Sequence, residues 1–411
     1  MPSISEMDLP SLPLESPDFC ADPMPYVEAA RRQHPWLAKF SAGYLVHGHQ
    51  AHTDLLVRDD DLQPGLGGIV EFYGLQGTNW ARFMQEMMVG QSGPTHARLR
   101  ASVAGAFTPR RANLARPLMR QVIGDLLDEW APKGEFDFAE FAAFFPIAVI
   151  CGLLGVSAKN IPGIRTALEL QITSLTLDPA NIPQFLAGHD RLWQFADDLV
   201  NEREASGTMD DGLLDALIAA KNAGQLDGVE LRFMLMVLLV AGYDTSKNLL
   251  TLTMNMLLDR PEMWARCAQE PGFCAKVVEE MLRHSTIATF YRMVVRDFTY
   301  DGVSFTKGAL VVFATPLAGR DPAAFPDPMR FDPERQGERH VSFGRGAHIC
   351  LGMYIARAQL EEGLHLIAQR LHNPRRTGPV SWRLFLPAWG LRTLPIAFEA
   401  STFEPAPATV V

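Results

Sequence analysis

"FGRGAHICLG", residues 343–352, sets two glycines and a histidine immediately before a cysteine. Gly344 and Gly346 let the backbone take a tight, bulged path that brings N–H groups close to the sulfur. The stretch that follows, "LGMYIARAQLEEGLHLIAQRL" (351–371), repeats apolar residues at helical spacing. Cys350 therefore lies near a helix N-terminus, where the dipole and free amides favour a thiolate. A lone cysteine is often only a small core hydrophobe. As a nucleophile Cys350 lacks an oriented base, since His348 is two residues away with no Asn or Asp in the segment to hold it. As a zinc ligand it lacks a second cysteine at C-x-x-C spacing. The role that remains is a single axial thiolate on a metal whose other ligands come from a cofactor, that is, haem.

Composition narrows the setting. Lys and Arg number 37 against 47 Asp and Glu, a formal net charge of −10, which disfavours binding a polyanion such as nucleic acid. No linker, charge block or repeat divides the 411 residues, and 47% hydrophobic content suits one large core. The expected organisation is a flexible segment 1–18, a single domain 19–400 and a disordered tail 401–411. The five cysteines are scattered without a framework spacing, as in a reducing compartment. The N-terminus has neither a basic nor an apolar targeting region, so the expected location is the cytoplasm, without a membrane.

Outward from the cysteine, the chain reads as mainly α with a smaller β portion. Stretches such as "DPMPYVEAARRQHP" (22–35) and "THARLRASVAGAFTPRRANLARPLMRQVIGDLLDEWAP" (95–132) carry helical periodicity. "GYLVHGHQAHTDLLVRD" (43–59) suggests a strand at Tyr44 to Val46 leading into a helix; its His47, His49 and His52 read as surface histidines at a strand end rather than a metal cluster. Asp227 and Glu230 have capping-box spacing and open a long helix free of proline until Pro261. Its apolar run, Phe233 to Tyr243, is shorter than the roughly 18 residues of a membrane span, so a central core helix is expected. "PEMWARCAQE" and "GFCAKVVEEMLRH" continue as helices, and "YRMVVRDFTYDGVSFTKGALVVFATPLAG" (291–319) alternates around Asp301-Gly302, a hairpin signal.

Two further clusters could carry chemistry. In "AGYDTS" (241–246) an acid and an alcohol sit mid-helix beside Gly242, which weakens the hydrogen-bond ladder; the pair suits proton delivery at a helix irregularity, or equally a threonine bonded back to an earlier carbonyl beside a solvated acid. In "EEMLRH" (279–284) Glu280 and Arg283 stand at i, i+3, a spacing that an exposed pair of little energetic worth also shows.

The order and placement of "FGRGAHICLG", "AGYDTS" and "EEMLR" resemble the cytochrome P-450 family, and the chain looks like a soluble bacterial-type member over nearly its whole length. "GPTHARLR" resembles the family's third helix, "YRMVV" its propionate-binding strand and "FPDPMRFDPER" the segment packed against Glu280 and Arg283. The resemblance implies a helix-rich triangular prism with haem b between the central helix and the cysteine-loop helix. Cys350 would be the axial thiolate, with Phe343 shielding the sulfur, Gly344 shaping the loop and Gly352 allowing close approach of the porphyrin. His96, Arg100, Arg292 and His348 would pair with the propionates. Glu280, Arg283 and Arg335 would form a structural network, while Thr245 and Asp244 would manage oxygen and protons. Three departures stand out: Tyr243 and Lys247 flank the acid and alcohol, Gly319 occupies a common Asn position in "AGRD", and "GPTH" replaces a more acidic approach to the third helix.

The implied activity is haem-thiolate monooxygenation, inserting one atom of O₂ into a small or medium apolar substrate. A peroxide-driven oxidant or isomerase, or a haem-based sensing module, are the alternatives. Electrons would come from a separate ferredoxin or flavodoxin with its reductase; Arg110, Arg111, Arg116, Arg120, Arg345 and Arg357 form either a basic docking face for it or, equally, a merely solvated face. By analogy "LGGIVEFYGLQGTNWARF" (66–83) helps to roof the pocket, and Leu238, Ala241, Ile287, Ala288, Thr289, Phe290 and Trp389 line it.

Overall fold

The longest helix begins where the sequence marks it. Asp227 Oδ1 accepts from the amides of Val229 and Glu230 at 2.8 and 2.7 Å, and Glu230 Oε2 accepts from the Asp227 amide at 2.9 Å, so the first-turn donors are satisfied reciprocally. From this cap the helix Gly228–Leu257 runs unbroken for 30 residues, straight through Gly242. The irregularity expected beside the acid and alcohol is absent. Nearly every residue from Leu231 to Leu239 is buried, because helices Phe138–Leu153, Ile161–Ile172, Ile182–Ser206 and Met353–Arg370 surround it. The computed structural model describes residues 2–207 and 212–400.

The β portion forms beside this helical body. A five-stranded sheet has the order Leu37–Phe40, Gly43–Val46, Leu310–Ala314, Thr289–Val294, Leu62–Pro64. Its second and third strands pair in parallel, and the other neighbours are antiparallel. The expected strand at Tyr44 to Val46 is present and leads into helix His49–Leu55. The hairpin signal holds as well. Asp301 and Gly302 take φ of 43° and 81°, and Phe298–Tyr300 pairs antiparallel with Val303–Phe305 around them. Further short strands between residues 371 and 400, one of them joined by Glu135–Asp137, make two small sheets that the alternation at 291–319 did not announce.

Two expectations change. His47, His49 and His52 are buried rather than on the surface, His47 just past the strand end and His49 and His52 on the helix that follows. His52 Nδ1 lies 2.8 Å from the Gly48 carbonyl with its ring edge-on to Phe313, and His49 Nε2 is 2.9 Å from the Arg339 carbonyl, so they are packing residues. Among the described residues no cluster of metal-ligating side chains occurs. The N-terminal segment expected to be flexible is docked. Ile4, Leu9, Leu12 and Leu14 are buried, and backbone bonds join Ile4 to Ser304 and Leu12 to Lys39. The tail expected at 401–411 lies outside the described residues. Among the described residues no helix is long and apolar enough to cross a membrane.

Candidate active site

The cysteine loop is shaped by its glycines. Gly344 and Gly346 have φ of 69° and 68°, the left-handed region, and a Cβ on Gly346 would lie 2.9 Å from the Leu56 carbonyl oxygen. The loop is closed by Cys350 N donating to Phe343 O at 2.7 Å, and Arg100 clamps it from helix Gly93–Ala104 by donating to Ile349 O at 2.7 Å. Helix Met353–Arg370 starts three residues later, as expected, with Gly352 at its N-cap. Cys350 and Gly352 line a cavity of about 300 Å³, and a Cβ at Gly352 would meet nothing within 4 Å. Burial pushes the Cys350 thiol up, while the Gly352 amide and the charges of Arg100 and Arg357 pull it back down. Phe343 lines the same cavity, with the Arg357 guanidinium 4.6 Å from its ring centre.

Four basic side chains from three chain segments converge on this cavity: His96 and Arg100 from helix Gly93–Ala104, Arg292 from strand Thr289–Val294 and His348 from the cysteine loop. Both arginines donate to backbone carbonyls rather than to carboxylates, Arg100 as above and Arg292 to Tyr291 O at 3.0 Å. The imidazoles of His96 and His348 are 4.1 Å apart, ring centre to ring centre. Burial lowers Arg292 to about 10, and burial followed by the charges of Arg292, His96 and Arg100 lowers His348 to about 3. Basic groups whose charged forms are disfavoured, the arginines by burial and the two histidines by burial and the neighbouring arginines, are in place for a ligand bearing carboxylates, which would restore their charge. A desolvated thiol beside such a cation cluster fits an iron porphyrin with two acidic side chains.

The wall opposite Cys350 is the central helix. Thr245 faces the cavity, its Oγ1 donating to Ala241 O at 2.7 Å. Asp244 is buried and accepts on Oδ1 from Arg383 Nη1 at 2.7 Å, so it is paired, not solvated. Burial lowers Arg383 and Asp244 more than offsets this, raising it overall. Tyr243 and Lys247 turn toward helix Ile161–Ile172. Tyr243 donates to Glu169 Oε1 at 2.6 Å, and Lys247 Nζ is 3.6 Å from the same oxygen.

A second cavity of about 290 Å³ adjoins the first and shares Val89, Val237, Ala241, Thr245, Phe290 and Arg292 with it. Of the expected lining residues, Leu238, Ala241, Ala288, Thr289 and Phe290 contribute. Ile287 and Trp389 do not. Trp389 Nε1 donates to Cys20 O at 2.7 Å, its ring stacks on Trp382 at 5.1 Å, and its backbone bonds Ile287 O, which holds both in the core. Their neighbours Pro387 and Ala388 face the cavity instead. Sequence reasoning did not single out Met84, Met87, Val89 or Gln171. An apolar helix face carries the same pattern whether it meets core or cavity, so only the proposed roof, 66–83, pointed near them.

Glu280 and Arg283 are each buried and joined by two bonds of 2.9 and 2.6 Å. Arg283 also donates to the carbonyls of Gly319, Pro328 and Arg330, while Glu280 accepts from Asp332 N at 2.8 Å and from Arg335 Nε at 3.4 Å. The exposed alternative is thereby removed. Ser342 bonds Leu282 O, tying this network to the cysteine loop. Gly319 is explained too, because a Cβ there would fall 1.7 Å from the Arg283 carbonyl oxygen. The basic face is largely neutralised. Arg116 pairs with Glu361 and Glu362, Arg120 with Glu362 and Arg357 with Glu279, while Arg110 and Arg345 are exposed.

A buried cysteine loop facing a long helix across an apolar cavity, with basic side chains gathered for carboxylates, fits a haem-thiolate protein. The chain belongs to the cytochrome P450 family, whose model matches residues 273–373. It is 32% identical over 400 residues to the luteothin monooxygenase of Streptomyces thioluteus, covering 96% of this chain and 97% of that protein. It is 33% identical over 370 residues to the 6-deoxyerythronolide B hydroxylase of Saccharopolyspora erythraea, covering 87% and 90%. The fold matches the crystal structure of CalO2 with a TM-score of 0.86 at 23% identity, over 95% of this chain and 99% of that one. The protein is thus a cytochrome P450 monooxygenase, an oxidoreductase whose cofactor is haem, iron protoporphyrin IX.

Proposed function

We propose that the protein hydroxylates a small or medium, mainly apolar organic molecule, with electrons supplied by a separate ferredoxin or flavodoxin and its reductase. The observation that carries this reading is the apolar cavity that runs from Cys350 past Thr245 to Ala288 and Pro387. Haem, when bound, supplies activation of O₂ and the two-electron oxidation. Cys350 Sγ would bind its iron, and His96, Arg100, Arg292 and His348 would take its carboxylates.

The chain's own residues orient the substrate, exclude water and move protons. Val237, Leu238, Ala241 and Phe290 supply apolar surface that displaces water and holds a C–H bond toward the haem face. Thr245 donates its proton to Ala241 O, which leaves the Oγ1 lone pairs facing the cavity as acceptors. Asp244 Oδ1 must part from Arg383 before it accepts a proton for delivery toward Thr245, so the ion pair acts as the gate on that step. Exposed Arg345, within the cysteine loop, supports docking of an acidic electron carrier on that side.

The test compares wild type with Cys350→His, Thr245→Ala and Asp244→Asn. A far red-shifted Soret band in the reduced, carbon monoxide-bound wild type, lost in Cys350→His, is expected. Thr245→Ala and Asp244→Asn should keep that band while product formed per electron consumed falls. Unchanged coupling in both variants would refute the proton assignments.

A further inference from the structure

Among the described residues, two charged side chains line the second cavity, Asp244 and Arg292, and each already has a role. Asp244 Oδ1 accepts from Arg383 Nη1 at 2.7 Å, and Arg383 is not part of the wall. Arg292 stands on the border with the Cys350 cavity, donates from Nη1 to Tyr291 O at 3.0 Å, and belongs to the basic cluster gathered for the haem carboxylates. The charges behind the central helix close on one another instead. Lys247 Nζ lies 3.6 Å and Arg165 Nε 3.0 Å from Glu169 Oε1, and Arg165 Nη1 lies 2.6 Å from Glu140 Oε1; none of these four side chains lines the cavity. The wall hydroxyls direct their protons to the backbone: Thr289 donates to Pro387 O at 2.7 Å, Tyr291 to Leu175 O at 3.1 Å and Thr245 to Ala241 O at 2.7 Å. Most of the remaining wall is hydrocarbon, thioether and aromatic ring, as at Phe83, Met84, Met87, Val240 and Ala288.

We infer that this cavity selects against anions, so that the substrate enters without an ionised carboxyl group. A carboxylate drawn in would give up its water and meet no free cation, whereas an amide or ester of the same shape loses far less. At about 290 Å³ the cavity has room for roughly ten waters, and so for a frame of about ten to fifteen non-hydrogen atoms. The inference rests on the monooxygenase reading above, which gives Arg292 to haem, and adds to it the charge and size of the substrate. It also places the enzyme in a reaction sequence: a precursor that bears a free carboxyl group must first be converted to an ester or amide by an acyl-transfer step.

Two probes of the same shape isolate the charge: 2-naphthamide, and 2-naphthoate, in which an oxygen replaces the amide nitrogen. Calorimetric titration of the haem-loaded protein at neutral pH should show the carboxamide bound at least about tenfold more tightly than the carboxylate. Val89 borders both cavities and is 39% exposed, so a long side chain there can reach the wall from the rim without being wholly buried. Val89→Arg supplies a free cation and should remove the preference, whereas Val89→Met, which adds length without charge, should keep it. Equal affinities in the wild type, tighter binding of the naphthoate, binding of neither probe, or an unchanged preference in a Val89→Arg protein shown to be folded by circular dichroism would each overturn the inference. Failure of the monooxygenase reading itself would show separately, as a reduced carbon monoxide spectrum without a thiolate-ligated band.

Discussion

Replacing Gly319 by alanine adds a single carbon, yet the structure makes it a severe change. The backbone φ at Gly319 is −66°, ordinary for any residue, so the effect is not conformational. It is steric, because the new Cβ would stand 1.7 Å from the Arg283 carbonyl oxygen, well inside contact distance and against backbone that cannot rotate away. Relief requires separating the two segments, which breaks the 2.8 Å bond from Arg283 Nη1 to Gly319 O. A lost bond to a buried charged group costs about 1.5–3 kcal/mol and overpacking about 1–3 kcal/mol, so destabilisation of about 3–5 kcal/mol is expected. The matched control is Gly124→Ala, within helix Pro109–Trp130, where a Cβ meets nothing within 4 Å. There the same substitution should stabilise by roughly 0.5–1 kcal/mol through helix propensity. Urea unfolding followed by circular dichroism measures both, and the reduced carbon monoxide spectrum reports whether the cysteine loop, tied to this network through Ser342, still holds its thiolate. A Gly319→Ala protein within 0.5 kcal/mol of wild type, the level of an ordinary surface change, would refute the reasoning.

Three other substitutions test separate parts of the structure. Burial holds His47 at about 3, well below its unfolded value of about 6.5, so between those pH values the unfolded chain binds more protons and stability falls as pH falls. Both ring nitrogens of His47 lack partners, so His47→Phe should fold and should lose about 1.4 kcal/mol less than wild type between pH 7.5 and 5.5; parallel pH profiles would exclude this. Arg292→Leu removes one cation from the basic cluster and should speed haem loss to apomyoglobin by about 10- to 100-fold, whereas an unchanged rate would mean that Arg292 holds nothing. Trp389→Phe keeps an aromatic ring but loses the bond to Cys20, so stability should drop by about 1–2 kcal/mol while ligand affinity stays fixed; a changed affinity would return Trp389 to the pocket.

Much of the site was legible because its chemistry imposes local rules. The positive φ of Gly344 and Gly346, the N-terminal position of Cys350 and the reciprocal cap at Asp227 and Glu230 all depend on residues within one or two turns of one another. The turn at Asp301-Gly302 is of the same kind. Other features were misread because burial is not local. His47 and His52 looked like surface residues until the sheet closed over them, and Ile287 and Trp389 looked like pocket residues until a single backbone bond locked them together.

By itself, then, the sequence determined the cysteine loop, the capped central helix, the family to which the chain belongs and the identities of the residues that gather around the thiolate. Only the tertiary structure decided what each polar side chain faces. It gave Asp244 to Arg383, turned Tyr243 and Lys247 onto Glu169, and buried Glu280 with Arg283. The physical reason is that spacing along a chain selects caps, turns and helical faces, whereas hydrogen-bond partners more than a hundred residues apart, such as Asp244 and Arg383, meet only after the core has packed.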